Sequence, residues 1–402
     1  MVEEYVAKAL ENADFSRMIL QRRQLHMHPE IGFNLPFTIS LVKAELDRIG
    51  IPYSEKYGKS SVVAMLGNPD ADFTIGIRAD MDALPIQDRK NVSYHSQIPG
   101  QSHACGHDAH TAMLLAVARG LNSIQDVLKC RVLLLFQPNE ESFDSGARYM
   151  VQDGIMDEID VIVAAHVESA LDSGSVGFYE GLSLAASRPT LIRFFGREAF
   201  DGSPREGIDA LAMAVNTYND IQMMLARELD PMDRFYCSVN ALNSGCTNNI
   251  ISAYAEMKLS IRAFNLDTDA YIFKRVCEIA HKNADLSGGS VEIDGQLKAL
   301  PMICNHAVNE RMRAAAVKVV GQEAVFDLPQ KMSGEDFSYF LEQKPGTFFL
   351  IGTRNTDKGI TAMEYSSRFD VDEDALLDGI EILFNFVLDN MERFPTSDDS
   401  KE

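Results

Sequence analysis

RVLLLFQ, Arg131–Gln137, decides the fold. Its apolar residues run without a break, where a strand with one wet face would alternate, so both of its faces are buried. VIVAAHV, Val161–Val167, has the same character, and Ser145–Gln152 between them reads as a short helix closed by Gly154. Strand, helix and strand of this kind build a mainly parallel sheet covered by helices, a doubly wound α/β architecture. Working outward, Ser61–Leu66 (SVVAML) and Phe73–Ala79 (FTIGIRA) read as further strands. His107–Leu121 reads as a helix with a long apolar stripe.

From about residue 186 the pattern changes. Pro189–Phe195 reads as a strand, Asp209–Leu229 as a helix stopped before Pro231, and Arg234–Leu242 as a second strand. Ile251–Ala263 then alternates, with Ala255, Met257, Leu259, Ile261 and Ala263 on one face and Glu256, Lys258, Ser260 and Arg262 on the other. That is a sheet with one buried and one wet face. Asp269–Leu286 reads as a helix closed by Gly288-Gly289, and Ser290–Ile293 begins a last strand. The order βαββαβ is that of an α+β ferredoxin-like sandwich. Helix Asn309–Val320 and strand Gly346–Ile351 then resume the first pattern. The expected domains are therefore 1–185 with 299–402, interrupted by an inserted 186–298. The tail Thr396–Glu402 (TSDDSKE) is expected to be disordered.

Composition narrows the function. The chain has 402 residues, 46% hydrophobic and 24% charged, which suits globular domains of roughly 150 residues each. Lys and Arg number 37 against 59 Asp and Glu, a net charge of −22. That balance argues against nucleic acid, whose phosphates need a cationic face, and against an anionic membrane surface. No run of about 18 apolar residues offers a membrane span. The opening MVEEYVAKALENADF is acidic and helical in pattern, without the basic and apolar regions of a signal peptide. Six cysteines spread thinly through the chain are the usage of a reduced compartment, so a cytoplasmic location is expected.

Four of the nine histidines lie between residues 95 and 110, three of them in SHACGHDAH, Ser102–His110. A thiol, imidazoles and a carboxylate crowded at a loop-to-helix junction suit a borderline divalent metal such as zinc. Cys105 and His107 flank a glycine that lets both side chains converge, and Asp108 can hold an imidazole tautomer from outside the ligand set. The second element is FQPNEE, Phe136–Glu141, with two carboxylates just past the end of a buried strand, where open α/β sheets place ligands. Metal-assisted hydrolysis needs one carboxylate on the ion and another to take a proton from water. His166 falls on the same sheet edge, as do Asp80 and Asp82, which are either orienting groups or a simple turn.

LHMHPEIG at 25–32, RADMDALP at 78–85, HACGHDAH at 103–110, FQPNEE, the His166 strand and SGEDF at 333–337 stand in an order that resembles the metal-dependent aminoacylase and carboxypeptidase superfamily. The branch it resembles is that of the N-acyl-amino-acid amidohydrolases, with hippurate hydrolases and plant auxin-conjugate hydrolases. The resemblance implies a zinc-peptidase-like catalytic domain and an inserted lid that dimerises, giving a homodimer. It implies one or two divalent ions, zinc or manganese, with Cys105 bridging, His107 and His166 on one ion and Glu141 on the other. Glu140 would be the general base that activates water. Asn249 and Arg262 would hold the carboxylate and carbonyl of a small N-acyl amino acid, and a guanidinium suits that bidentate task.

Two positions depart from the pattern. Where the family carries its last metal histidine, before Phe369-Asp370-Val371-Asp372-Glu373, this chain has Tyr365. Where the lid carries a histidine, this chain has Phe200, which neither ligates nor donates. The first weakens one metal site to Cys105 and Glu141, unless Glu364 or the Tyr365 phenol substitutes. The second removes a transition-state hydrogen bond worth about 3 kcal/mol. The expected activity is hydrolysis of the C–N bond of an N-acyl or N-aryl amino acid or a dipeptide-like substrate. The alternative is an altered or inactive family member that binds a small molecule or runs different chemistry.

Overall fold

The computed structural model describes residues 2–396. By contacts the chain divides into two units. One holds the residues up to Ser183, Ile303–Gln330 and those from Asp336 onward; the other holds Leu184–Met302 and Lys331–Glu335. The sequence placed the cuts at 185/186 and 298/299. They shift because the chain returns: Leu184 bridges Lys331, and the Ala185 N–H donates to the Ser333 carbonyl at 2.9 Å. Of the expected tail, Thr396 accepts a hydrogen bond from Asn305 Nδ2 at 2.9 Å, and the rest lies outside the described residues.

The first unit is an eight-stranded mixed sheet. Its order is Tyr53–Ser54, Val62–Gly67, Arg131–Gln137, Thr74–Asp80, Val161–Asp172, Gly346–Arg354, Val176–Phe178 and Val325–Asp327. The central strands Arg131–Gln137, Thr74–Asp80, Val161–Asp172 and Gly346–Arg354 are parallel neighbours. Their continuous apolar runs follow from burial on both faces. The short strands at 53–54, 176–178 and 325–327 carry no alternation long enough to read from sequence. Helix His107–Asn122 is buried along nearly its whole length, under helices Val2–Ala13, Phe15–Met27 and Leu376–Asp389. Among the described residues no helix is long and apolar enough to cross a membrane.

The second unit is a four-stranded antiparallel sheet in the order Phe235–Ser244, Tyr254–Ala263, Ala186–Phe195, Ser290–Asp294. Helices Ala210–Arg227 and Leu266–Ser287 share its core with Ile192, Phe194, Met257 and Ile261. Along Tyr254–Ala263 the odd-numbered positions are buried and the even ones are not, as the alternation requires. Helix Leu266–Ser287 begins a turn before the expected Asp269, because the Asn265 side chain accepts from the Asp267 N–H and caps it there.

The helices of the first unit are tied together by Glu45, 2% exposed. One carboxylate oxygen accepts from Arg17 at 2.6 Å, the other from Arg48 at 2.7 Å and Arg119 at 2.9 Å. Burial would raise this carboxyl, but the Arg48, Arg17 and Arg119 guanidinium groups hold it down at about 2. Its stabilising contribution is therefore complete above the ordinary value of 4.5 and is lost as pH falls through about 2. Glu45→Gln leaves Arg119 short of its counter-charge and should cost about 3 kcal/mol at pH 7, as for other broken buried pairs. Denaturant unfolding across pH should show the gap to wild type closing between about pH 5 and 2; a gap that stays constant would exclude this ion cluster as its source.

Candidate metal centre

Strand Thr74–Asp80 lies between Arg131–Gln137 and Val161–Asp172, parallel to both, so their carboxyl ends share one sheet edge. Asp80 stands opposite Gln137. His166 lies two residues beyond Ala164, the last partner of Thr74–Asp80. Its strand continues to Asp172 instead of closing at Val167, so His166 is an interior strand residue that outruns one neighbour. The other neighbour continues, with Leu350 opposite His166.

Helix His107–Asn122 brings Cys105 and His107 to this edge through Gly106, whose φ is 90°. A Cβ there would also meet Val167 Cγ2 at 2.3 Å, so the close approach of helix and strand admits only glycine. Cys105 Sγ lies 3.5 Å from His166 Nε2, and the donor atoms of Cys105, His107 and Glu141 all fall within 4.8 Å of one another. Both ring nitrogens of His107 are buried without a hydrogen-bond partner. Their nearest carboxylate oxygens are Asp82 at 3.5 Å, Asp80 at 3.6 Å and Glu141 at 3.9 Å. Burial, then the Glu141 carboxylate, pushes the Cys105 thiol well above its ordinary value. Burial opposes protonation of His107, yet Asp80 leads a set of groups that raises it well above the usual imidazole range. A soft thiol, unsatisfied imidazole nitrogens and carboxylates in a pocket of negative potential fit a divalent cation.

His110 is different. Its Nδ1 pairs with Asp80 Oδ1 at 2.6 Å and its Nε2 accepts the Val167 N–H at 2.9 Å, so both nitrogens are spent on the fold. Burial lowers it to about 4. His103 is likewise lowered by burial, to about 3. Of the three histidines in SHACGHDAH, then, only His107 lies in the Cys105 and Glu141 donor group.

Asp82 sets the two glutamates. Its carboxylate oxygens accept the backbone N–H of Glu140 at 2.8 Å and of Glu141 at 3.0 Å. Asn139 makes the turn between strand and carboxylates with a φ of 56°, a conformation asparagine tolerates. Glu140 is buried, at 4% exposure, and Glu141 is half-buried. Asp80, wholly buried, spans Arg78 at 2.7 Å and His110. Asp108 holds an imidazole, but not one of its own cluster. Its partners are His26 Nδ1 at 2.7 Å and the fully buried Arg22 at 2.9 Å. No periodicity in QRRQLHMH marks Arg22 as interior, and sequence reasoning missed it.

The two departures resolve unequally. The Cys105 thiol donates to the Tyr365 hydroxyl oxygen at 3.8 Å, while the Glu364 carboxylate accepts from the N–H and Oγ of Ser169 at 2.6 and 2.5 Å. In the second unit, Phe200 is exposed on a short strand opposite Ile250. Asn249 lies just before that pairing, with its carbonyl accepting the Asp201 N–H at 3.2 Å. Arg262 sits half-buried between Tyr236 and Ser187 on the neighbouring strands. The Ser333-Gly334 turn of SGEDF runs against it, since a Cβ on Gly334 would meet Arg262 Nη1 at 3.3 Å.

Residues 76–389 match the family model "Peptidase family M20/M25/M40". The chain belongs to this family. Thermostable carboxypeptidase 1 of Saccharolobus solfataricus is 32% identical over 88% of this chain and 90% of its own length. IAA-amino acid hydrolase ILR1-like 4 of Arabidopsis thaliana is 30% identical over 93% of this chain and 85% of its own. Among solved structures, the Bacillus subtilis YXEP protein, a dinuclear metal binding peptidase of the M20 family, superposes with a TM-score of 0.71 at 27% identity. It covers 93% of this chain and 97% of that one. As an M20 member, this chain is a metal-dependent hydrolase of amide bonds. The likenesses lend nothing to the alternative of a non-hydrolytic binder.

The Gly106 turn can be tested by steric rescue. Gly106→Ala adds overpacking of roughly 1–3 kcal/mol to left-handed strain of roughly 1–2 kcal/mol. In the double variant with Val167→Ala the overpacking should disappear and only the strain remain. Equal unfolding free energies for single and double variants would exclude the Val167 contact as the constraint.

Proposed function

We propose that this chain hydrolyses the amide bond joining an acyl group to the nitrogen of an amino acid, with Glu140 as general base and Cys105, His107, Glu141 and His166 as metal ligands. One observation carries this reading: the donor atoms of Cys105, His107 and Glu141 converge within 4.8 Å, and the adjacent Glu140 is buried with its backbone fixed by Asp82. The substrate class is supported by relatives named as IAA-amino acid hydrolases and carboxypeptidases. A divalent ion bound there supplies water of lowered pKa and polarises the carbonyl. Glu140 takes the proton of the attacking water and returns it to the departing nitrogen. Asp82, facing His107 Nδ1, is its orienting carboxylate and leaves Nε2 for the ion; Asp80 orients His110 beside it, and Asp108 acts at one remove through His26 and Arg22. Asn249 and Arg262 offer an amide and a guanidinium for the substrate's carbonyl and carboxylate. The Cys105 thiol leans toward zinc over manganese by softness. Thin cysteine usage, with all six thiols free, supports a cytoplasmic location.

Glu140→Gln should leave bound metal unchanged and lower the deacylation rate by about 10²–10⁴-fold. Cys105→Ala should lose metal and activity together. Elemental analysis beside an acyl-amino-acid assay reads both; full activity in Glu140→Gln would rule out its role as base.

We also infer a homodimer through the second unit. Strand Phe235–Ser244 is the sheet's edge, and the exposed Val215 and Tyr218 line a groove of about 310 Å³ with Val239 and Leu242. An apolar open edge of this kind calls for a cover, and a second copy's edge supplies it. Val239→Asp should shift the protein from dimer to monomer in analytical ultracentrifugation; an unchanged sedimentation coefficient would place any interface elsewhere.

A further inference from the structure

We propose that the Tyr365 phenol oxygen is itself a ligand of the divalent ion, completing the half of the centre formed by Cys105 and Glu141. The inference rests on the metal-hydrolase reading above and assigns one more donor to it. The hydroxyl lies 3.8 Å from Cys105 Sγ, within the reach of an ion that the sulfur also touches. The backbone is pinned for that purpose: the Tyr365 N–H donates to the carbonyl of Ala104, the residue before Cys105, at 2.8 Å. That hydrogen bond ties the tyrosine turn to the ligand loop.

The conformation of Tyr365 points the same way. Its φ is 63°, a left-handed backbone that bulky side chains rarely adopt and that glycine or asparagine would hold with less strain. The tyrosine keeps this backbone although its residue remains 58% exposed. What the geometry does secure is the position of the hydroxyl beside the thiol. Glu364, the other oxygen donor on the same turn, is committed to the N–H and Oγ of Ser169. The phenol is thus the donor that this turn presents to Cys105. An oxygen where the resemblance implies a histidine nitrogen makes this half of the centre harder and, on ligation with release of the phenolic proton to solvent, more negative.

Zinc titration of the chelator-stripped full chain tests the assignment in wild type, Tyr365→Phe, Tyr365→His and Cys105→Ala. Wild type should show a near-ultraviolet phenolate difference spectrum that grows with bound zinc. Tyr365→Phe keeps the same backbone and ring, should retain the wild-type thermal midpoint without zinc, and should lose both that signal and about 10-fold or more in affinity for one equivalent. Tyr365→His should recover the affinity without the signal. Zinc bound equally well by Tyr365→Phe, or a phenolate signal that survives in it, would overturn the assignment and leave the hydrolase reading standing. Zinc bound by neither wild type nor Cys105→Ala would overturn both.

Discussion

Asp80 is a carboxylate with no exposure to solvent, and the arrangement of the centre hangs on it. Its Oδ2 pairs with Arg78 on its own strand, its Oδ1 pairs with His110 on the buried helix, and its carbonyl accepts from Thr111 Oγ1 at 3.0 Å. Through His110 Nε2 the connection passes to the N–H of Val167 on the next strand. Three elements are thus joined around one negative charge. Burying that charge without partners would be prohibitive, and Arg78 with the two histidines holds the carboxyl well below its ordinary range in spite of burial. The remaining freedom lies with His107, 3.6 Å away, whose nitrogens the network approaches without satisfying. The groups around Asp80 are paired with one another while the His107 imidazole is not, which preorganises that position for an ion.

The buried carboxylates of the first unit fall into two kinds on this view. Glu45, Asp108 and Asp370 each meet a guanidinium, and they hold helices together. Asp82 instead spends both oxygens on backbone N–H groups and faces His107 at 3.5 Å. Its charge orders the Glu140-Glu141 turn. The net charge of −22 says nothing of this distinction. Asp82 thus serves the turn that carries the glutamates, where Glu45, Asp108 and Asp370 serve the helix packing.

How far the sequence reaches follows the same division. Continuous apolar runs and strict alternation are local signals of burial on two faces or one, so Arg131–Gln137 and Tyr254–Ala263 were readable. The three-residue strands carry too few residues for a period, and Lys331–Glu335 joins the second unit through contacts with Leu184 and Ala185 that are more than 140 residues distant in the chain. Within the centre, residue type and crowding singled out Cys105 and His107. They could not separate His107 from His110, because that difference is a hydrogen bond to Val167 on another strand. Asp108 drew attention for the right chemistry, but its imidazole, His26, arrives from a helix 82 positions earlier.

Backbone strain gives an independent view of where the fold has been bent to a purpose. Four described residues other than glycine have left-handed φ values: Asp14, Ser60, Asn139 and Tyr365. Asp14 caps helix Phe15–Met27, which explains it locally. Asn139 and Tyr365 lie on different segments, yet one directly precedes the glutamate pair and the other reaches the thiol. Asparagine adopts this conformation readily, so the first imposes little cost. A tyrosine does not, so the backbone at 365 is the costlier of the two. On the proposal that the phenol is a ligand, that cost is what keeps the hydroxyl beside the thiol.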